Sequence, residues 1–209
     1  MLEMAWPNEG DDAFVEGTYE ATNAYPHWFD SWHRDIAIAD GFKESAELVV
    51  SSLEEGNGDR HADKYLFSVG FLYRHYLEIS MKQIVQLGLR LRILEPEEAR
   101  HCLHSHGLPI LWEKTKKVLT TFWSGADQSP VLAVEQVVSQ FHAIDDTGQA
   151  FRYSTDKHGN KLLAQAPDII SLSQLRKVMD GVGNFFDGCQ TGLGEALSYL
   201  ESSQAFYEG

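Results

Sequence analysis

An arginine and a histidine stand six positions apart in the segment Ala150-Phe151-Arg152-Tyr153-Ser154-Thr155-Asp156-Lys157-His158-Gly159, which reads as a loop between helices. A guanidinium can hold a phosphate while an imidazole moves a proton. That pairing is sufficient for metal-free cleavage of RNA, so Arg152 and His158 are the candidate catalytic residues. Asp156 and Lys157, lying between them, join the candidate binding surface.

A second group of polar side chains comes earlier. Arg74, Glu78 and Lys82 recur at i, i+4 and i+8, which puts them on one face of a helix, with His75 beside them. One reading is a solvated ladder of ion pairs. The other follows from Phe71-Leu72-Tyr73 and Tyr76-Leu77, whose apolar bulk would carry part of the row into the interior. Buried charges persist only when paired, so Arg74 and Glu78 would then brace neighbouring loops or line a pocket. Under this second reading Arg74, His75, Glu78 and Lys82 are candidate binding residues.

The run His101-Cys102-Leu103-His104-Ser105-His106 gathers three imidazoles and a thiol. Its composition suits zinc or nickel, but its spacing matches no standard site, and no metal is expected. His106, just ahead of Gly107 and Leu108, is placed to hold a helix start. No glycine-rich phosphate loop, zinc-ribbon cysteine spacing or serine nucleophile elbow occurs, and no cofactor is expected.

The elements that must position these groups are helical. Trp28, Trp32, Ile36, Ala39, Phe42, Ala46, Val49 and Leu53 follow the three-four rhythm of one helix face, stopped by Gly56-Asn57-Gly58-Asp59. A second helix is expected from His61 to Leu87 with Gly88 as its stop, then a short piece from Pro96 to Cys102. A third long helix starts near Leu108 and ends before Ser124-Gly125; a fourth starts at Ser129-Pro130 and fails near Asp145-Asp146. The last carries Leu172, Leu175, Met179, Val182, Phe186, Cys189, Leu193 and Leu197. The expected fold is an all-α, up-and-down bundle of four to five helices, with room for a small β-hairpin near residues 151–163. Residues 1–209 read as one domain, its first 20 or so residues forming an irregular extension.

With 17 Lys and Arg against 31 Asp and Glu, the formal charge of -14 disfavours bulk DNA or RNA binding. A local cleft for a few phosphates remains open to an acidic protein, because clefts focus fields independently of net charge. No run of eighteen apolar residues is present, so no membrane association is expected and a cytoplasmic location is. Cys102 and Cys189 read as reduced thiols.

Two stretches carry a family resemblance: Phe71-Leu72-Tyr73-Arg74-His75-Tyr76-Leu77-Glu78-Ile79-Ser80-Met81-Lys82, and His106-Gly107-Leu108-Pro109-Ile110-Leu111-Trp112. Over about residues 61–200 the chain resembles the HEPN superfamily of prokaryotic helical bundles. The resemblance implies a frequent homodimer and a place in toxin-antitoxin, antiviral defence or stress systems. Many members are metal-independent ribonucleases with an arginine, a four- to six-residue spacer and a histidine, a pattern that Arg152 and His158 fit. By that logic His158 would exchange protons with the ribose 2'-hydroxyl or the leaving oxygen, and Arg152 would stabilise charge developing on phosphorus. The chain departs from the family pattern in having Tyr153 after the arginine and Lys161 to Asp168 between His158 and the last helix.

Three functions compete at this point. The first is a HEPN-like endoribonuclease acting on RNA in a cleft shared by two copies. The second is a non-catalytic HEPN-like module that binds a protein or small ligand around Arg74, His75, Glu78 and Arg152. The third is an acidic antitoxin that neutralises a basic partner.

Overall fold

The computed structural model describes residues 6–14, 17, 21–27, 30–56 and 62–208. Trp28, at the head of the first apolar stripe, lies outside them, as do Asn57, Gly58, Asp59 and His61 around the first turn and residues 1–5 at the start. The fold is all-α, and the described residues form six helices: α1 Ser31–Glu54, α2 Ala62–Arg90, α3 Pro96–Leu103, α4 Leu108–Phe122, α5 Ser129–Ile144 and α6 Leu172–Glu208. No helix among them is long and apolar enough to cross a membrane.

Local chemistry sets the helix ends. Asp30 caps α1, its carboxylate accepting from the His33 amide at 2.8 Å, which satisfies one of the donors a first turn leaves open. Pro96 sits in the first turn of α3, where its missing amide is no loss. In α5 the cap is Gln128, with Ser129 and Pro130 already inside the first turn, one residue earlier than the sequence suggests.

At Gly88 the structure corrects the expectation of a helix stop, because α2 runs on to Arg90. Arg92 ends it instead, in the left-handed region at φ 59°. The Arg92 amide donates to Leu89 O at 3.0 Å and the Ile93 amide to Gly88 O at 2.8 Å, the paired bonds of a Schellman motif with arginine where glycine is usual. Gly88 serves packing, since a Cβ there would lie 2.3 Å from the Val118 side chain of α4.

Helix α2 is the axis of the bundle. It packs against α1, α3, α4 and α6, while α5 lies against α4. Tyr73, Leu77 and Ile84 of α2 meet Leu111 of α4 and Met179 and Phe186 of α6 in one core. Buried positions cover most of the circumference of α2, leaving a half-buried stripe through Phe71, His75, Lys82 and Gln86, and this carries Arg74 and Glu78 inside with the apolar residues.

Between α5 and α6 the described residues hold no strand. The room for a hairpin is filled by a single antiparallel bridge, Thr155 with Lys161, closing a tight turn. Asp156 holds that turn: one carboxylate oxygen accepts from the amides of His158 at 2.8 Å and Asn160 at 2.9 Å, and the other from the Asn160 side chain at 2.8 Å. Just upstream, Phe151 reaches back to α2 and covers Gly70, where a Cβ would lie 2.4 Å from the ring. A Gly70→Ala substitution is expected to displace Phe151 and lower stability by about 1–3 kcal/mol in denaturant unfolding, the usual penalty of overpacking.

Candidate functional site

The candidate site grows from one turn of α2. Arg74 and Glu78, with side chains 6% and 4% exposed, pair at 3.4 Å through one guanidinium nitrogen. A second guanidinium nitrogen donates to the His106 carbonyl at 3.0 Å. Nε lies 3.3 Å from a carboxylate oxygen of Asp145, close enough for an ion pair but without hydrogen-bond alignment. The other Asp145 oxygen accepts from the amides of Gln149 at 2.8 Å and Ala150 at 3.0 Å. One buried cation thus ties α2 to the α3–α4 turn and to the chain leaving α5.

Glu78 has two more partners on its other oxygen: Lys82 Nζ at 2.9 Å and His106 Nδ1 at 2.7 Å. Burial pushes the Glu78 carboxyl up, but those hydrogen bonds and the charges of their donors outweigh it and hold the group below the ordinary carboxylate range. The His106 ring is otherwise exposed. An imidazole oriented by a carboxylate through Nδ1 presents Nε2 outward, an arrangement suited to proton transfer. His101 and His104 face a different hollow, beside Glu97 and Arg100, and no set of three or more metal-ligating side chains converges among the described residues.

The remaining predicted residues divide. Arg152 Nε donates to the Gly148 carbonyl at 2.9 Å, and its guanidinium carbon lies 5.8 Å from the Phe71 ring centre and 5.6 Å from that of Tyr153. Phe71 stacks on His75 at 5.6 Å, and His75 meets the Phe42 ring edge-on at 4.6 Å. Burial pushes the His75 imidazole down, with Glu78 opposing the shift and Arg74 and Lys82 adding to it. His158 sits in the Asp156 turn with Lys157, both exposed. Among the described residues no hydrogen bond, ion pair or ring contact joins His158 to Arg152.

Gly148 is where cluster and loop meet. Its φ of +76° is in the left-handed region, and a Cβ would stand 3.0 Å from the Arg74 guanidinium carbon. The chain then turns through Ala150 and buries Phe151. Phe151 forms part of the wall of a hollow of about 340 Å³ between α2, α5 and the start of α6, shared with Leu66, Val137, Phe141, Ile144 and Val178. Sequence reasoning missed this hollow, and it missed Asp145, which reads as a helix stop. The Thr147-Gly148 turn after Asp145 was the available signal, because amides in such turns need an acceptor.

Removing one partner of a buried ion pair leaves the other uncompensated. Arg74→Ala is expected to lower stability by about 3–5 kcal/mol in denaturant unfolding, and Arg74→Lys to fall well short of restoring it, since an ammonium lacks the planar fork that reaches several acceptors. The pH dependence has a definite sign. His75 and Glu78 both have folded pKa values below their unfolded ones of 6.5 and 4.5, so each contributes stability above its unfolded value that is lost as pH falls through the folded value. The melting temperature should drop between pH 7 and pH 4, and His75→Phe should flatten the upper part of that drop.

Compared with protein-family models, with curated proteins and with solved structures, the chain finds no match in any of the three.

Proposed function

We propose that this chain is a non-catalytic, HEPN-like binding module of the cytoplasm, and that its ligand is a small molecule held in the hollow beside Phe151. The carrying observation is the way the hollow is built. Its Phe151 wall is fixed by a loop that the buried Arg74–Asp145 pair anchors to the bundle axis. A concave apolar space of this size on a rigid frame is the usual form of a small-ligand site. Arg74 and Glu78 support the reading as braces, because their charges are committed inside the protein.

One observation favours the ribonuclease reading as second choice. Arg152, Lys157 and Lys161 fall within ten residues of one another in a chain of charge -14, with Asp156 the one acidic residue among them, so this loop is a local excess of cations beside His158. In that reading two copies pair so that their loops make one cleft for RNA. Its place would be a defence, toxin-antitoxin or stress system.

A single comparison separates the two. Purified protein in the presence of a chelator is expected to leave a mixed RNA pool uncut, and Arg152→Ala and His158→Ala are expected to leave ligand-induced methyl NMR shifts around the hollow unchanged. Chelator-resistant cleavage that both substitutions abolish would instead establish the ribonuclease.

A further inference from the structure

The side chains around the hollow also select the chemistry of what enters it. No Asp, Glu, Lys, Arg or His contributes to its lining. Its buried wall is Phe141 and Phe151, and its exposed rim carries three uncharged polar side chains, Gln140 of α5, Ser171 just ahead of α6 and Gln174 of α6. The Ser171 hydroxyl accepts from the Gln174 amide at 3.2 Å and keeps its own proton to donate. The two glutamine carboxamides make no side-chain hydrogen bond among the described residues, so each offers both a donor and an acceptor at the mouth.

A charged ligand would lose water in such a space and gain no counter-ion. An entirely apolar one would forgo the hydrogen bonds that the two carboxamides offer at the exposed mouth. We infer that the hollow takes a neutral amphipathic molecule, an aliphatic or aromatic body ending in an uncharged group that both donates and accepts hydrogen bonds, such as a carboxamide. The apolar body packs on Phe141, Phe151 and Val178, and the polar end lies between Gln140 and Gln174. This inference rests on the binding-module reading and narrows its ligand class.

Octanamide and octanoate share the same chain and differ in the charge of the head, so they form the test pair. Each is titrated at pH 7.5 into the full chain with labelled Leu, Ile and Val methyl groups. The expected result is saturable shifts at Leu66, Val137, Ile170 and Val178 with octanamide and affinity at least about tenfold weaker for octanoate. Replacing both glutamines, Gln140→Leu with Gln174→Leu, should weaken octanamide binding by removing its hydrogen-bond partners while the apolar body still binds. Val178→Trp, or the smaller Val178→Phe if the first does not fold, should remove binding of both probes.

Octanoate binding as tightly as octanamide would overturn the inferred ligand class and leave the binding-module reading standing. Absence of shifts at the hollow with either probe, or shifts that survive filling at Val178, would overturn both.

Discussion

A guanidinium enclosed in the middle of a helix bundle must have anions around it, and that requirement at Arg74 organises the rest of this protein. Arg74 is buried because α2 is the axis of the bundle and its half-buried stripe, through Phe71, His75 and Lys82, passes to one side of it. Glu78, one turn on, supplies one counter-charge from the same helix, and Asp145 supplies the other from the chain leaving α5. The His106 carbonyl takes a further hydrogen bond from the α3–α4 turn. Buried ion pairs of this kind are often no more stabilising than apolar residues of equal volume would be. Their effect here is positional: they fix which turn lies against which helix.

The consequences run outward from Asp145. Its carboxylate holds the amides of Gln149 and Ala150, and between them and the helix end Gly148 lets the chain turn against the guanidinium. The turn delivers Phe151 onto Gly70, and Phe151 becomes a wall of the hollow. Arg152, the next residue, is drawn over the Phe71 ring by the same turn, with its Nε on the Gly148 carbonyl. Its role is thus shaped by the scaffold before any ligand is considered. His158 belongs to another local unit, the turn closed by Asp156.

The helices were largely legible because apolar spacing at three and four residues reports directly which side of a segment faces the core. Gly88 misled because glycine signals both a helix end and a close approach, and only the position of Val118 on α4 distinguishes the two. The Arg74–Glu78 pair was visible in its spacing, and the apolar residues flanking it hinted at burial. Their partners were not visible. His106 reaches Glu78 across 28 positions and Asp145 reaches Arg74 from beyond α5, contacts set by how helices dock rather than by any local pattern. The Arg152-to-His158 spacing was plain to read, yet spacing in a loop fixes no distance, and the Asp156 turn decides where the histidine goes.

Arg74 positions the loop that walls the hollow. Amide hydrogen exchange at Gln149 and Ala150 tests this positioning most directly, comparing the native chain with an Arg74→Met variant that retains its helical content. Both amides are expected to be protected in the native chain and to exchange at least about tenfold faster in the variant, because Asp145 is released from its cation and its grip on the loop weakens. Unchanged protection of Gln149 and Ala150 in a folded Arg74→Met protein would contradict it.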